Sequence, residues 1–394
     1  MPHPAGASPR LASPRALLEL AGIAAAPLRY GHAVRILRDG GAAFPAMLAG
    51  IRAARRDVSF ENFIIADDQT GRDFTAGLER ARSRGARVRV LYDPVGTLLV
   101  KGGSVARQLK DARVDARAFR PLSPLAPWSW LRLRHRDHRK LLVCDDLIAF
   151  VGGICIADHW APSDRGGAGW RDTAVSIRGP AVADFQRAFE RMWSRARLET
   201  PGESAPRHPP SEKGEAAVIV VGDRPGLGRV AEIYEWLADR AQESIELTDA
   251  YFVAPRTVLD ALTRAARRGI RVRLLVPGRN NHPVAGLAAR RIYQPLLEAG
   301  AEIFEWTGVM LHAKTAVVDG VVALVGSSNL DPLSLRRNYE LNALVADSTT
   351  GAAMRALFAA DLEKATPVLL EDWRRRPRRA RAAEAAARLF ADVL

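Results

Sequence analysis

Two stretches of the chain repeat one pattern of apolar and polar positions. Residues 59–93 (SFENFIIADDQTGRDFTAGLERARSRGARVRVLYD) and 244–278 (SIELTDAYFVAPRTVLDALTRAARRGIRVRLLVPG) each read as strand, helix, Arg-Gly stop and strand. In the helices, Leu78 and Ala81, and then Val258, Leu259, Leu262 and Ala265, recur at the three- and four-residue steps of a buried face. Gly85 and Gly269 supply the left-handed residue that ends a helix. RVRVLY and RVRLLV turn continuously apolar after their first residues, as strands covered on both faces do.

A second unit follows in each half. HRKLLVCDDLIAFVGGICIAD (138–158) and HAKTAVVDGVVALVGSSNLD (312–331) each read as two short strands around a tight turn, at Asp145-Asp146 or Asp319-Gly320. Residues 200–215 (TPGESAPRHPPSEKGE) form a Pro-rich polar linker. The expected fold is α/β. Two halves, 31–199 and 216–366, each carry a mixed β-sheet flanked by helices and are related by a pseudo-twofold axis. Residues 1–30 are expected to be a disordered leader and 367–394 a basic amphipathic tail. A site at the interface would draw one element from each half.

Composition narrows the class. Of 394 residues, 48% are hydrophobic and 26% charged, which excludes wholesale disorder. Lys and Arg number 58 against 44 Asp and Glu, a net charge of +14 that points to a polyanionic partner. Two cysteines, Cys144 and Cys155, exclude a disulfide-built fold. No stretch reaches the ~20 apolar residues of a membrane-spanning helix. The run from Ala16 to Leu28 is too short and makes a poor export signal. A peripheral place on the cytoplasmic face of the bacterial inner membrane is the expectation.

Both hairpin units fit H-x-K-x4-D-x6-G-[GS]. The first has His138, Lys140, Asp145, Gly152 and Gly153; the second has His312, Lys314, Asp319, Gly326 and Ser327, then Ser328 and Asn329. On a strand, positions two apart share a face, so each His stands beside its Lys. An imidazole beside an ammonium, delivered twice, suits phosphoryl transfer through a covalent intermediate. One His attacks phosphorus while the other moves the leaving and incoming protons. The two Lys hold the nonbridging oxygens. This chemistry needs no metal and no cofactor, and the sequence has no carboxylate cluster suited to a metal. A histidine nucleophile needs an acceptor that fixes its tautomer. Asp172 in GWRDTAV and Glu340 in NYELN, 34 and 28 residues after the motif His that precedes each, are the candidates.

The duplicated motif resembles that of the phospholipase D superfamily, over roughly residues 32 to 376. Within it the chain is similar to the bacterial cardiolipin synthases, in the branch lacking N-terminal transmembrane helices. FENFIIADDQTG, LYDPVGT, HRDHRKLLVCDD, AFVGGICIADHW, GSSNLDPLSLRRNYELN and EDWRRRP carry the likeness. The resemblance implies a phosphatidyltransferase that moves a phosphatidyl group from one phosphatidylglycerol to another through phosphohistidine, releasing glycerol. It assigns His138 and His312 as nucleophile and general acid/base, in an order the sequence leaves open. It makes Lys140, Lys314 and Asn329 phosphate ligands, with Gly153 and Ser327 at the substrate-binding turn. Asp145 and Asp319 become supporting carboxylates. Hydrolysis of phospholipids by the same residues is the alternative. A nuclease ranks below it and a lipid-binding scaffold last, so no nucleic acid is expected. The partner is an anionic phospholipid membrane, and the oligomeric state is not legible. Two segments read as lipid-facing: 121–134, with Trp128 and Trp130 among arginines, and 372–394, with six arginines between Trp373 and Arg381.

One position departs from the family pattern: Cys155 stands where Asn is usual. A thiol is a poorer hydrogen-bond donor than an amide. Cys155→Asn is therefore expected to keep or raise the turnover of the purified protein. A large loss would show that Cys155 is more than a weaker substitute.

Overall fold

The computed structural model describes residues 11–98, 104–122, 135–197 and 214–388. The first half contains β1 (Leu28–Arg38), β2 (Asp57–Asn62), β3 (Arg87–Tyr92), β4 (Asp115–Ala118), β5 (Lys140–Cys144), β6 (Ile148–Gly152) and β7 (Thr173–Arg178). The second contains β8 (Ala216–Asp223), β9 (Ser244–Asp249), β10 (Arg271–Pro277), β11 (Glu302–Trp306), β12 (Lys314–Val318), β13 (Val322–Gly326), β14 (Glu340–Ala346) and β15 (Ala365–Pro367). The described strands form one sheet, ordered β15-β11-β10-β9-β12-β13-β14-β8-β1-β7-β6-β5-β2-β3-β4. Read outward from the β8–β1 seam, the two sides carry equivalent strands in the same order, and β15 is an addition at one edge. The expected pseudo-twofold pairing of two mixed sheets is thus built as one continuous sheet.

Each repeated unit folds as its pattern predicts. The helices Gln69–Ser83 and Arg256–Arg267 cross between parallel strand pairs, β2 with β3 and β9 with β10. Gly85 and Gly269 end them at φ +95° and +87°, a region glycine enters without a Cβ clash. The seam is antiparallel, with Leu28 opposite Ile219 and Arg29 opposite Val218. Beneath it lies a core drawn from both halves. Phe185, Phe189 and Met192 of the helix Val182–Arg197 pack with Val218, Val220, Val317, Val325, Leu341 and Val345. Fully burying such a side chain is worth about 1.5–3 kcal/mol. Parting the halves would expose a core on which both depend.

The leader expected over residues 1–30 is corrected by the structure from Leu11 onward. Pro14–Ala24 is a helix whose Ser13 side chain accepts from the Ala16 N–H. Leu17, Leu20 and Ala24 fall on one face and bury against the helix Arg229–Arg240. Composition suggested a leader, but this spacing gives the segment an apolar face to dock. Residues 1–10 lie outside the described residues, as do nearly all of the 200–215 linker and of the lipid-facing segment 121–134. The tail forms two helices, Leu370–Arg375 and Arg378–Arg388. The Trp373 ring is buried 5.0 Å from that of Tyr293, with the Arg376 guanidinium 4.0 Å over it. Among the described residues no helix is long and apolar enough to cross a membrane.

The two hairpin turns explain the motif aspartates. Asp145 and Asp146, and Asp319 and Gly320, all have positive φ, the two-residue turn that matches strand twist. Asp145 accepts from the backbone N–H groups of Arg55, Arg56 and Asp57 at 2.8–2.9 Å. Asp319 does the same for Gln242, Glu243 and Ser244. Each carboxylate pins its hairpin to the start of β2 or β9. Burial opposes the Asp145 charge, but the backbone donors outweigh it and hold the carboxyl below its ordinary value. Its stabilisation is therefore present above the unfolded value near ~4 and is lost as pH falls through the depressed folded value. Asp145→Ala and Asp319→Ala should each destabilise the fold by about 2–4 kcal/mol in denaturant unfolding, since three N–H groups lose their acceptor. In Asp145→Ala the acid limb of stability should also flatten.

Candidate active site

Lys140 opens β5 opposite Asn62 of β2, and Lys314 opens β12 opposite Asp249 of β9. The equivalent strands thus carry both lysines to equivalent sheet positions. Two residues before each Lys, the chain leaves its own half. The His138 N–H donates to Tyr339 O at 3.0 Å, and Tyr339 N–H donates back to Arg136 O. The His312 N–H donates to Arg171 O at 2.7 Å, and Arg171 N–H donates back to Met310 O. These short bridges set Tyr339 and Arg171, the residues just before Glu340 and Asp172, beside the opposite motif.

The result is a crossed pairing. His138 Nδ1 lies 3.0 and 3.1 Å from the two carboxylate oxygens of Glu340, in the second half. His312 Nδ1 lies 2.7 Å from Asp172 Oδ2, in the first. Sequence order places each carboxylate after its own motif; the fold gives each to the other's histidine. Both carboxylates are fully buried, and both imidazoles are nearly so. With Nδ1–H donating to a carboxylate, Nε2 carries the lone pair of each ring.

The two pairs are unequal. Asp172 also accepts from Trp160 Nε1–H at 2.8 Å and from Thr173 N–H at 2.7 Å. Burial opposes its charge, but His312, then Lys314 and Trp160, hold the carboxyl below its ordinary value. Besides His138, Glu340 takes the hydroxyls of Ser327 and Ser334 and no backbone N–H among the described residues. Its burial dominates and pushes it up to about 7. The turn residues account for part of the difference. A Cβ on Gly153 would sit 2.3 Å from Asp172 Oδ1, so that position must be bare. Ser327, its equivalent, spends its hydroxyl on Glu340 and its N–H on Leu341 O. Both residues thus sit against the orienting carboxylates. Asn329 Nδ2 lies 3.3 Å from Ser334 Oγ, and its buried Oδ1 has no partner.

Both cations act on both imidazoles, which places the two motif sets in one electrostatic site. His138 is driven well below its ordinary value by burial, then by Lys140 and Lys314. His312 falls to about 3, by burial first and Lys314 next. Burial lowers Lys314 to about 8, with Lys140 adding to the effect and Asp172 and Asp249 opposing it. The Lys314 ammonium lies 2.9 and 3.1 Å from the two ring nitrogens of His312. Cys155 is buried within reach of both lysines and of Asp172. Asp145 and Asp319 stand apart, at the far hairpin turns.

Sequence reasoning did not assign the walls. The Phe63 ring is 4.9 Å from His138. Around His312 stand Trp160 at 5.2 Å, Trp170 at 5.8 Å and Tyr251 at 6.1 Å. Two tryptophans within the segment leading to Asp172 were the available signal. Asp249 was also unassigned. Burial raises its carboxyl to about 7, and it accepts from Tyr251 N–H and Leu330 N–H, both at 2.9 Å. Its counterpart across the pseudo-twofold is the uncharged Asn62.

Residues 236–362 match the family model described as cardiolipin synthase, PLD-like domain. Cardiolipin synthase from Geobacillus sp. (strain WCH70) is 32% identical over 385 residues, covering 96% of this chain and 76% of that one. Cardiolipin synthase A from Pseudomonas fluorescens (strain SBW25) is 31% identical over 371 residues, covering 93% and 76%. The crystal structure of phosphatidylserine synthase from Haemophilus influenzae Rd KW20 superposes with a TM-score of 0.71 at 15% identity, covering 95% of this chain and 98% of that one, a likeness of fold. Sharing that identity across nearly its whole length, the chain belongs to the cardiolipin synthases, phosphatidyltransferases of the phospholipase D superfamily.

Proposed function

We propose that the protein makes cardiolipin from two molecules of phosphatidylglycerol by double displacement at the crossed histidines. The crossed pairing carries this reading. It orients two imidazoles, one from each half, with Nδ1 of each on a carboxylate and both lysines near. The phosphodiester lies between them, its nonbridging oxygens on Lys140 and Lys314 and on the Asn329 amide. Its negative charge offsets the ammonium groups that depress both imidazoles.

The inequality of the carboxylates divides the roles. His138, paired with the weaker anion Glu340, stays neutral and attacks phosphorus through Nε2. His312, paired with the firmly ionised Asp172, carries the proton. In the first step the N–P bond forms and the bond from phosphorus to the glycerol oxygen breaks. His312 gives its proton to the leaving alkoxide, and glycerol departs. In the second step the terminal hydroxyl of another phosphatidylglycerol gives its proton to His312 and attacks phosphorus. The N–P bond breaks, freeing cardiolipin and restoring His138. One phosphodiester is exchanged for another, so no nucleotide is consumed. Gly153 and Ser327 serve by positioning the carboxylates, and Asp145 and Asp319 by holding the hairpins. The enzyme acts as two catalytic halves, 31–199 and 216–366, joined through 200–215. It works from the cytoplasmic face of the inner membrane as a peripheral protein.

Purified protein given phosphatidylglycerol vesicles should yield cardiolipin and glycerol by lipid mass spectrometry. His138→Ala and His312→Ala should each reduce product to background, a loss of at least about a thousandfold. Phosphatidic acid as the sole product would make the protein a hydrolase. The division of roles has its own readout. Asp172→Asn removes the anion that favours protonated His312, so the basic limb of the kcat profile should move to lower pH, with kcat down about a thousandfold. Glu340→Gln should lower kcat and leave that limb in place. The opposite result would exchange the roles of the histidines.

A further inference from the structure

The helix Pro283–Arg290 is inverted with respect to ordinary burial. Its small residues Ala285, Ala288 and Ala289 are buried, whereas Val284 and Leu287 are 40% and 36% exposed. A helix whose only need is to dock on its own protein turns its larger apolar side chains inward. Exposing them while hiding alanine marks a surface meant to meet something else.

This helix borders the catalytic mouth. His282 precedes its first turn, and the His282 ring is 5.6 Å from Tyr251, which itself stands 6.1 Å from His312. The Tyr251 hydroxyl donates to Asn281 Oδ1 at 2.7 Å, tying the residue two before the helix to a ring beside His312. Val309, only three residues before His312, is 66% exposed on the segment hydrogen-bonded to Arg171. Leu98, 63% exposed, ends the helix Pro94–Leu98. Gly96 of that helix abuts Phe63, the ring beside His138. The two helices follow β3 and β10, which are equivalent strands, so the pseudo-twofold brings an apolar tip to each side of the mouth.

The basic tail continues this surface. The helix Arg378–Arg388 packs on Pro283–Arg290, burying Ala387 in the same cluster as Ala288 and Ala289. Buried Glu384 ties the pair together, 3.0 Å from Arg376 and 3.6 Å from Arg290. Arg378, Arg379 and Arg381 are left exposed. Apolar tips at the mouth beside a basic helix match the two layers of an anionic bilayer surface, acyl chains and phosphate headgroups.

Resting on the phospholipid substrate proposed above, we infer that Val284, Leu287 and Val309, with Arg378, Arg379 and Arg381, form the surface by which the enzyme docks on an anionic bilayer, mouth down. The double variant Val284→Glu/Leu287→Glu and the triple variant Arg378→Glu/Arg379→Glu/Arg381→Glu test it by co-sedimentation with vesicles about one third phosphatidylglycerol in phosphatidylcholine. Thermal unfolding of each serves as the check on folding. Both variants should bind these vesicles about tenfold or more weakly. The arginine effect should vanish in high salt, and the apolar effect should persist. Turnover on a short-chain phosphatidylglycerol dispersed as monomers should stay within about twofold of the parent. Unchanged vesicle binding by Val284→Glu/Leu287→Glu overturns the proposal, as does a parallel loss of short-chain turnover. Conversion of a dimer to a monomer with vesicle binding retained would make this face a contact between copies and overturn it equally. A parent protein that binds vesicles through these residues yet turns over neither substrate would sink the catalytic reading and leave the docking surface standing.

Discussion

Two hydrogen bonds organise this molecule: His138 to Glu340 and His312 to Asp172, each crossing from one half to the other. A buried imidazole beside two ammonium groups is held neutral, and without a fixed tautomer it has no defined reactive nitrogen. The acceptor that fixes it arrives on a strand end of the opposite half. The continuous sheet, the antiparallel seam and the shared core under it all hold those strand ends in place. Side chains locked by packing and by supporting hydrogen bonds keep the tolerance that catalysis needs.

The near-symmetry of the frame makes its asymmetries informative. Gly153 faces Ser327, Asn62 faces Asp249, and Cys155 occupies the place that matches Asn329. Around Asp172 the backbone and Trp160 supply donors; around Glu340 the hydroxyls of Ser327 and Ser334 do. Equivalent topology therefore delivers two imidazoles into unequal surroundings. The double displacement proposed above uses that inequality, because its two bases do different work on one phosphorus centre.

Much of this was legible in the chain itself. The repeated strand-helix-strand units, the left-handed glycines and the turn dipeptides follow from local spacing, and they appear where the spacing puts them. The convergence of the two motifs was also legible, because the motif is duplicated in equivalent units of the two halves. The exchange of carboxylates was not. Asp172 and Glu340 sit at similar distances after their own histidines, and linear order says nothing about which strand end crosses the seam. Trp160 and Asp249 were hidden for a related reason: their roles depend on contacts made through the sheet rather than along it. The helix Pro14–Ala24 was missed because Pro, Ala and Ser around it suggested a leader, while Leu17 and Leu20 at helical spacing carried the contrary signal.

The crossed arrangement also limits how such a molecule can change over evolutionary time. Since neither half holds both members of either pair, a mutation that spoils one carboxylate strips the ring in the opposite half of its partner and leaves the other pair intact. Divergence of the duplicated halves is then free across the outer helices and sheet edges. At the four exchanged positions the halves remain hostage to one another, and a gene encoding only one of them would have to recover its missing partner from a second copy of itself.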